Sequence, residues 1–452
     1  MLFSNLTPDR LISQPFVCDC GKTHAALGIQ SIVVGRGVLP KLIDVLRELS
    51  IKKPFLVTDA NEYEAAGRRV EALLRENSVP FTTHIIPCEA GGRIAPSEFA
   101  QGSIVLNYDR SCDAILCVGS GVMNDLCKMI SNISGLPEVV VATAPSMDGY
   151  ASDTAAMEVN QVKLSLKARL PAALICDVDI LSQAPMRMLQ AGLGDMLGKF
   201  SALCEWKLAH LIRGEEYCPE IERLVRVSLD RITSGARGVK ERDPEAITAI
   251  TEGLILSGIA MAFAGLSRPA SGLEHYFSHC WEMAALARGE ESDLHGIQVG
   301  VGTLLVLKIY ERLKTLKPTM ERVEAAADAF DPIAWEQNLR RVFGATAEQF
   351  VVMEQTAQKN EKSGRMKRAE TTISNWDTVL KIAETAPSFA EIEALMKAIG
   401  MPTTPEEIGI GKQETVDAFI CSRDVRDKFQ LSSMLWDIGY MEEIAAWLKQ
   451  EL

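Results

Sequence analysis

Ala114-Ile115-Leu116-Cys117-Val118-Gly119-Ser120-Gly121-Val122-Met123-Asn124-Asp125-Leu126-Cys127-Lys128 decides the fold. Five apolar residues without a polar break read as a buried strand, the Gly-Ser-Gly step as a tight turn, and the residues after the turn as a helix. The same alternation surrounds it. Ile32-Val33-Val34 ends at Gly35 and leads into a helical stretch to Leu49, and Phe55-Leu56-Val57-Thr58 ends at Asp59 before a helix from Tyr63 to Asn77. Thr82 to Ile86 and Val139 to Thr143 read as further strands. Strands alternating with helices predict an open α/β nucleotide-binding domain with a parallel sheet over residues 1–187. From about Pro185 the strand signal stops. Periodic stretches at 195–212, 219–235, 244–264, 272–288 and 294–314 predict an all-α helical bundle over residues 188–452, with Gly253, Gly258 and Gly265 allowing close helix packing.

The turn at 119–121 suits a phosphate cradle. Glycine lets the backbone approach a pyrophosphate, and the N–H groups opening the next helix point at its charge. A tight turn alone would show the same pattern. The standard dinucleotide fingerprint is not met, because Asn124 stands where a third glycine belongs and no acidic residue closes a strand about 20 residues later. Upstream, Asp59 ends its strand and is a candidate for the adenosine ribose; its carboxylate would disfavour a 2′-phosphate and so favour NADH over NADPH. Helix N-capping is the ordinary alternative for Asp59. A third loop, Thr143-Ala144-Pro145-Ser146-Met147-Asp148-Gly149-Tyr150-Ala151-Ser152, is rich in hydroxyls and small residues, which suits gripping a polar ligand. Asp148 in it is a candidate for holding a substrate hydroxyl.

Asp195, His275 and His295 are expected to hold one divalent metal ion. Each sits among small residues: Ala191-Gly192-Leu193-Gly194-Asp195, Ser271-Gly272-Leu273-Glu274-His275 and Leu294-His295-Gly296. One carboxylate and two imidazoles leave a fourth tetrahedral position open for water or a substrate oxygen. His275 and His279 are four apart and share a helix face, so three of the six histidines fall within about 20 residues. Cys18-Asp19-Cys20 with His24 lacks a second ligand cluster and is read as an ordinary turn. Eleven scattered cysteines fit reduced thiols better than a disulfide framework.

With 452 residues and 47% hydrophobic content, the chain can form two cores. A net charge of −13 repels nucleic acid and anionic membrane surfaces, so a phosphorylated ligand must meet a local positive cluster. Met1 to Arg10 lacks the pattern of a signal peptide, and no uninterrupted apolar run reaches about 18 residues, so a soluble cytoplasmic protein is expected. No repeat is evident. The segment from about Thr315 to Leu452 reads as structural, with solvated charges.

Gly-Ser-Gly-Val-Met-Asn-Asp-Leu-Cys-Lys at 119–128, Thr-Ala-Pro-Ser-Met-Asp-Gly at 143–149, Gly-Leu-Gly-Asp at 192–195, Ser-Arg-Pro-Ala-Ser-Gly-Leu-Glu-His-Tyr-Phe-Ser-His at 267–279 and Leu-His-Gly at 294–296 resemble the sn-glycerol-1-phosphate dehydrogenases. That family lies in the iron-containing alcohol dehydrogenase and dehydroquinate synthase-like superfamily, and the likeness is to its bacterial branch. It covers about residues 28–310; beyond about residue 400 the chain looks longer than typical members. The resemblance implies that Asp195, His275 and His295 bind the metal, zinc or nickel, and that His279, Asp148 and Asp195 contact substrate. It implies that Asp59, Gly119, Ser120, Gly121, Val122, Met123, Thr143, Ala144, Pro145, Ser146 and Ser152 contact NAD(H), with NADP(H) as the other possible cofactor.

The implied reaction is reduction of dihydroxyacetone phosphate, in a homodimer. For the phosphate, Arg268 is the first candidate, followed by Lys163, Lys167 and Arg169. Two sibling reactions are the enzymatic alternatives: glycerol dehydrogenation, which needs no phosphate site, and a dehydroquinate-synthase-like lyase, which needs more basic residues than are evident. A nucleotide-sensing protein without turnover would not need the three proposed ligands together.

Overall fold

A computed structural model of the chain describes residues 16–452, apart from 19–20, 22, 25–26, 89–93 and 160–161. The expectations for Met1 to Arg10 and for Asp19 and Cys20 lie outside the described residues. Apart from a short antiparallel pair of Phe16–Val17 with Thr23–His24, the strands among the described residues are β1 (Ser31–Gly35), β2 (Pro54–Asp59), β3 (Thr82–Ile86), β4 (Ala114–Gly119), β5 (Glu138–Ala142), the antiparallel hairpin β6 (Thr154–Val159) and β7 (Val162–Lys167), and β8 (Ala173–Asp177). Six of them form one parallel sheet in the order β1-β8-β5-β4-β2-β3. Every residue of β4 is buried, as expected of a strand covered on both faces. Ala114, Leu116 and Val118 turn to one face, where Val139, Val141, Leu42, Leu46 and Leu56 share their apolar cluster. Helix α1 (Gly121–Ser134) follows β4 through the glycine turn.

This strand order sets the site. β5, β4 and β2 are neighbours, so their carboxyl ends bring Thr143, Gly119 and Asp59 to one edge of the sheet, where ligands of such folds bind. The hairpin and β8 were not among the strands read from sequence. Leu174-Ile175-Cys176 is short and runs straight into the helix Val178–Leu181, so no turn signal marks its end.

The chain divides into two compact units, and a single cut between residues 187 and 188 does not describe them. One unit holds the residues up to Met196 together with Pro219–Leu266; the other holds Leu197–Cys218 together with Ser267–Leu452. Helices α4 (Pro219–Gly235) and α5 (Pro244–Ala264) therefore belong with the sheet, and so does nearly all of α2 (Met186–Leu197). Glycine contacts explain why. A Cβ on Gly192 of α2 would sit 1.8 Å from the Pro145 carbonyl oxygen, and one on Gly258 of α5 would sit 2.9 Å from the Asp148 carbonyl oxygen. By length and composition α5 could cross a membrane, but 78% of its apolar window is buried, making it a core helix of this unit.

The other unit is built from helices, among them α3 (Lys199–Arg213), α6 (Leu273–Arg288) and α7 (His295–Leu313). A Cβ on Gly302 would come 2.6 Å from the Glu274 carbonyl oxygen, so α7 lies close on α6. The C-terminal segment packs into this unit. Phe419 stacks on Phe277 of α6, and the Leu431 N–H donates to Glu205 of α3 at 3.3 Å.

Candidate active site

In the sheet-bearing unit, Asp59 caps the helix that follows β2, its Oδ1 accepting from the Glu62 N–H at 2.7 Å. That cap aims Glu62 at the cradle. The Ser120 N–H and hydroxyl donate to Glu62 Oε1 at 3.1 and 2.6 Å, and the Thr143 hydroxyl donates to Oε2. The donors expected to receive an anionic ligand thus converge on a carboxylate. Burial raises the Glu62 pKa above the usual range, against the hydrogen bonds from Ser120 and Thr143. Gly119 is required: a Cβ there would fall 2.4 Å from the Met123 Cβ.

The Thr143–Ser152 loop folds back on itself. The Tyr150 hydroxyl donates to the Ala144 carbonyl at 2.7 Å. Ser152 is buried and donates to the Gly149 and Thr154 carbonyls, while the buried Lys128 ammonium donates to Gly149 O, Ser152 Oγ and Thr154 O. Asp148 and Asp195 do meet. The Asp148 N–H donates to Asp195 Oδ2 at 2.9 Å, and Asp148 Oδ2 accepts from Ser257 of α5 at 2.8 Å.

In the helical unit, three imidazoles cluster. Ring centroids of His275 and His295 lie 5.3 Å apart, His279 and His295 5.5 Å, and His275 and His279 6.4 Å. His275 and His295 are each held by a hydrogen-bonding neighbour. His275 Nδ1 is 2.8 Å from Glu274 Oε1, and Glu274 also accepts from the Ser201 hydroxyl and the Gly272 N–H, both at 2.6 Å. Burial alone would raise Glu274, but these donors hold it below the usual carboxylate value, so it faces His275 as an anion. The Ser278 hydroxyl donates to Gln298 Oε1 at 2.9 Å, so it accepts from His295 Nδ1, also at 2.9 Å. Both rings then carry their proton at Nδ1, and Nε2 is the nitrogen a metal would take. Burial pulls His279 well below the usual imidazole value, against the attraction of Glu282 at 3.6 Å, so it stays neutral.

The three side chains of this cluster whose ligand atoms lie within 4.8 Å of one another are His279, Glu282 and His295. Glu282 was missed in sequence, although it follows His279 by three positions and therefore shares its helix face. Asp195 belongs to the other unit.

Arg268 is committed elsewhere, which removes the first phosphate candidate. It is 2% exposed, its Nε and Nη2 donate to Glu215 at 2.7 and 2.6 Å, and its Nη1 donates to the Phe429 carbonyl. Lys167 pairs with Asp153, and Arg169 donates to the Gly135 carbonyl at 2.7 Å. Lys428, which no sequence signal singled out, lies at the loop before α6, donating to Ser271 O at 2.8 Å and Ser267 Oγ at 3.0 Å.

A parallel sheet with a glycine turn at its carboxyl edge, joined to helices bearing clustered imidazoles, defines a class. A family model described as iron-containing alcohol dehydrogenase matches residues 33–185. The solved structure of a 1,3-propanediol oxidoreductase shares the fold with a TM-score of 0.62 at 17% identity, covering 94% of this chain and 98% of that one. A glycerol-1-phosphate dehydrogenase (NAD(P)+) of Halalkalibacterium halodurans is 35% identical over 294 residues, 65% of this chain and 74% of that protein. Another from Geobacillus thermodenitrificans is 29% identical over 427 residues, 94% of this chain and 95% of the relative. The chain belongs to the glycerol-1-phosphate dehydrogenase family. The Geobacillus match extends through the C-terminal length, which that relative therefore shares.

Proposed function

We propose that this chain reduces dihydroxyacetone phosphate to sn-glycerol 1-phosphate, reversibly, with NAD(P)H and one divalent metal ion. The observation that carries the reading is the imidazole cluster, in which His275 and His295 are each held at Nδ1 by an acceptor. This donor set fits zinc or nickel, which take neutral imidazole nitrogen with oriented partners behind it. Asp195, His275 and His295 are the proposed ligands; His279 and Asp148 are assigned to the substrate. When bound, the ion polarises a ketone oxygen and the reduced nicotinamide supplies the hydride, so that NAD(P)H, a proton and the ketone give NAD(P)+ and the alcohol.

The chain's own residues do the rest. Ser120 and Thr143 offer the N–H and hydroxyl donors now taken by Glu62, and these fit a dinucleotide pyrophosphate or ribose. Asp59 disfavours a 2′-phosphate, so NADH is the preferred form. His279, neutral and 3.6 Å from Glu282, is the proposed end of the proton relay. Lys428 replaces Arg268 as the proposed partner of the substrate phosphate.

Purified protein supplied with Zn²⁺ or Ni²⁺ should oxidise NADH faster than NADPH, and only with dihydroxyacetone phosphate. The product should be refused by an enzyme specific for the opposite enantiomer. Turnover of unphosphorylated dihydroxyacetone alone would overturn the substrate assignment. His275→Ala should lose metal and activity together, whereas His279→Ala should keep the metal; a metal-free His279→Ala protein would give His279 and Glu282 the ligand role instead.

A further inference from the structure

Behind the nucleotide turn, the face of the sheet opposite the Leu116 cluster carries an unexplained set of side chains. Parallel pairing sets Glu138 of β5 beside Ile115 of β4, and Cys117 follows Ile115 by two, so all three turn to the same face. Cys127 of α1 joins them. Cys117 Sγ, Cys127 Sγ and a Glu138 carboxylate oxygen lie within 4.8 Å of one another. The two cysteines are fully buried and Glu138 is 1% exposed, and both Glu138 oxygens lack a hydrogen-bond partner. A buried carboxyl with no hydrogen-bond partner is costly. Lys128, the buried cation beside Cys127, has its three N–H groups on Gly149, Ser152 and Thr154, so it does not cap Glu138.

We propose that Cys117, Cys127 and Glu138 form a second metal site, for a thiophilic divalent cation of the Zn²⁺ class. Two sulfurs and a bidentate carboxylate give four donor atoms, the number a closed structural zinc site takes. Zinc holds sulfur at about 2.3 Å and carboxylate oxygen at about 2.0–2.2 Å, so the separations between donors must shrink by at most about 1 Å. Binding displaces the two thiol protons and any proton on Glu138, leaving two thiolates, one carboxylate and M²⁺ with a net charge of −1 facing the Lys128 ammonium. The ion would clamp β4, α1 and β5, the elements whose junctions carry Gly119, Ser120 and Thr143.

The test separates this site from the imidazole cluster. The chain carrying His275→Ala and His295→Ala, purified under reducing conditions from zinc-supplied cells, should contain one zinc per chain by plasma mass spectrometry. Adding Cys117→Ala and Glu138→Gln should bring that to none. A folded double-histidine variant without zinc overturns the proposal. On the unaltered chain, zinc-edge X-ray absorption should show sulfur scatterers at about 2.3 Å, and a shell of nitrogen and oxygen alone overturns it even where the variants do not fold. None of these readouts uses NADH turnover, so they stand apart from the proposed reaction.

Discussion

His275 and Lys428 show how neighbours set the chemistry of a single side chain. His275 gains a defined tautomer because Glu274, fed by Ser201 and Gly272, stays anionic beside it. Lys428 is pushed the other way: burial, reinforced by the Arg268 charge, lowers its pKa to about 7. Below that value the ammonium is charged and attracts a phosphate dianion; above it the attraction fades. The KM for dihydroxyacetone phosphate should therefore rise as pH climbs past 7, by at most about tenfold per unit. Lys428→Arg, charged throughout, should flatten that rise over about pH 7 to 9. Steady-state kinetics across pH checks both, and a flat wild-type profile would remove Lys428 from the phosphate role.

At the scale of elements, backbone proximity holds the ligand loops in place. Helix α2 can lie against the Thr143–Ser146 loop because residue 192 has no side chain, and the atom it nearly touches is the fixed Pro145 carbonyl oxygen. Gly192→Ala should force the two apart, lowering stability toward the upper end of about 1–3 kcal/mol and weakening NADH binding. Gly102→Ala is the matched control. It lies within the helix Glu98–Asn107 with open space around it, so alanine there should stabilise by about 0.5–1 kcal/mol. Urea unfolding and NADH titration of the two variants make the comparison, and equal behaviour would contradict the packing argument.

At the scale of the molecule, the C-terminal helices are tied into their unit by buried charge. Arg368 donates twice to Asp437 at 2.8 Å, with side chains 14% and 1% exposed, and Arg365 donates to the carbonyls of Ala326, Trp436 and Asp437. Arg368→Ala would strand the Asp437 carboxylate in the core, and about 3–5 kcal/mol of stability should be lost. The exposed pair Arg68–Glu64 should contribute little by comparison and weaken with salt. Urea midpoints of Arg368→Ala and Arg68→Ala at low and high salt test the contrast; a loss below about 1 kcal/mol for Arg368→Ala would mean that solvent reaches Asp437.

Read as a string of residues, the chain already declared its parallel sheet, its glycine turn at 119–121, the helices carrying His275, His279 and His295, and the family to which these motifs point. Those features are local: strand alternation, turn chemistry and helix spacing depend on neighbours a few positions away. Only the tertiary structure decided that residues 219–266 rejoin the sheet, that Glu62 sits on Ser120 and Thr143, that Arg268 is spent on Glu215, and that Cys117, Cys127 and Glu138 meet. Each of those depends on groups distant in sequence meeting in a shared core, and no local pattern records which partner a buried polar group will find.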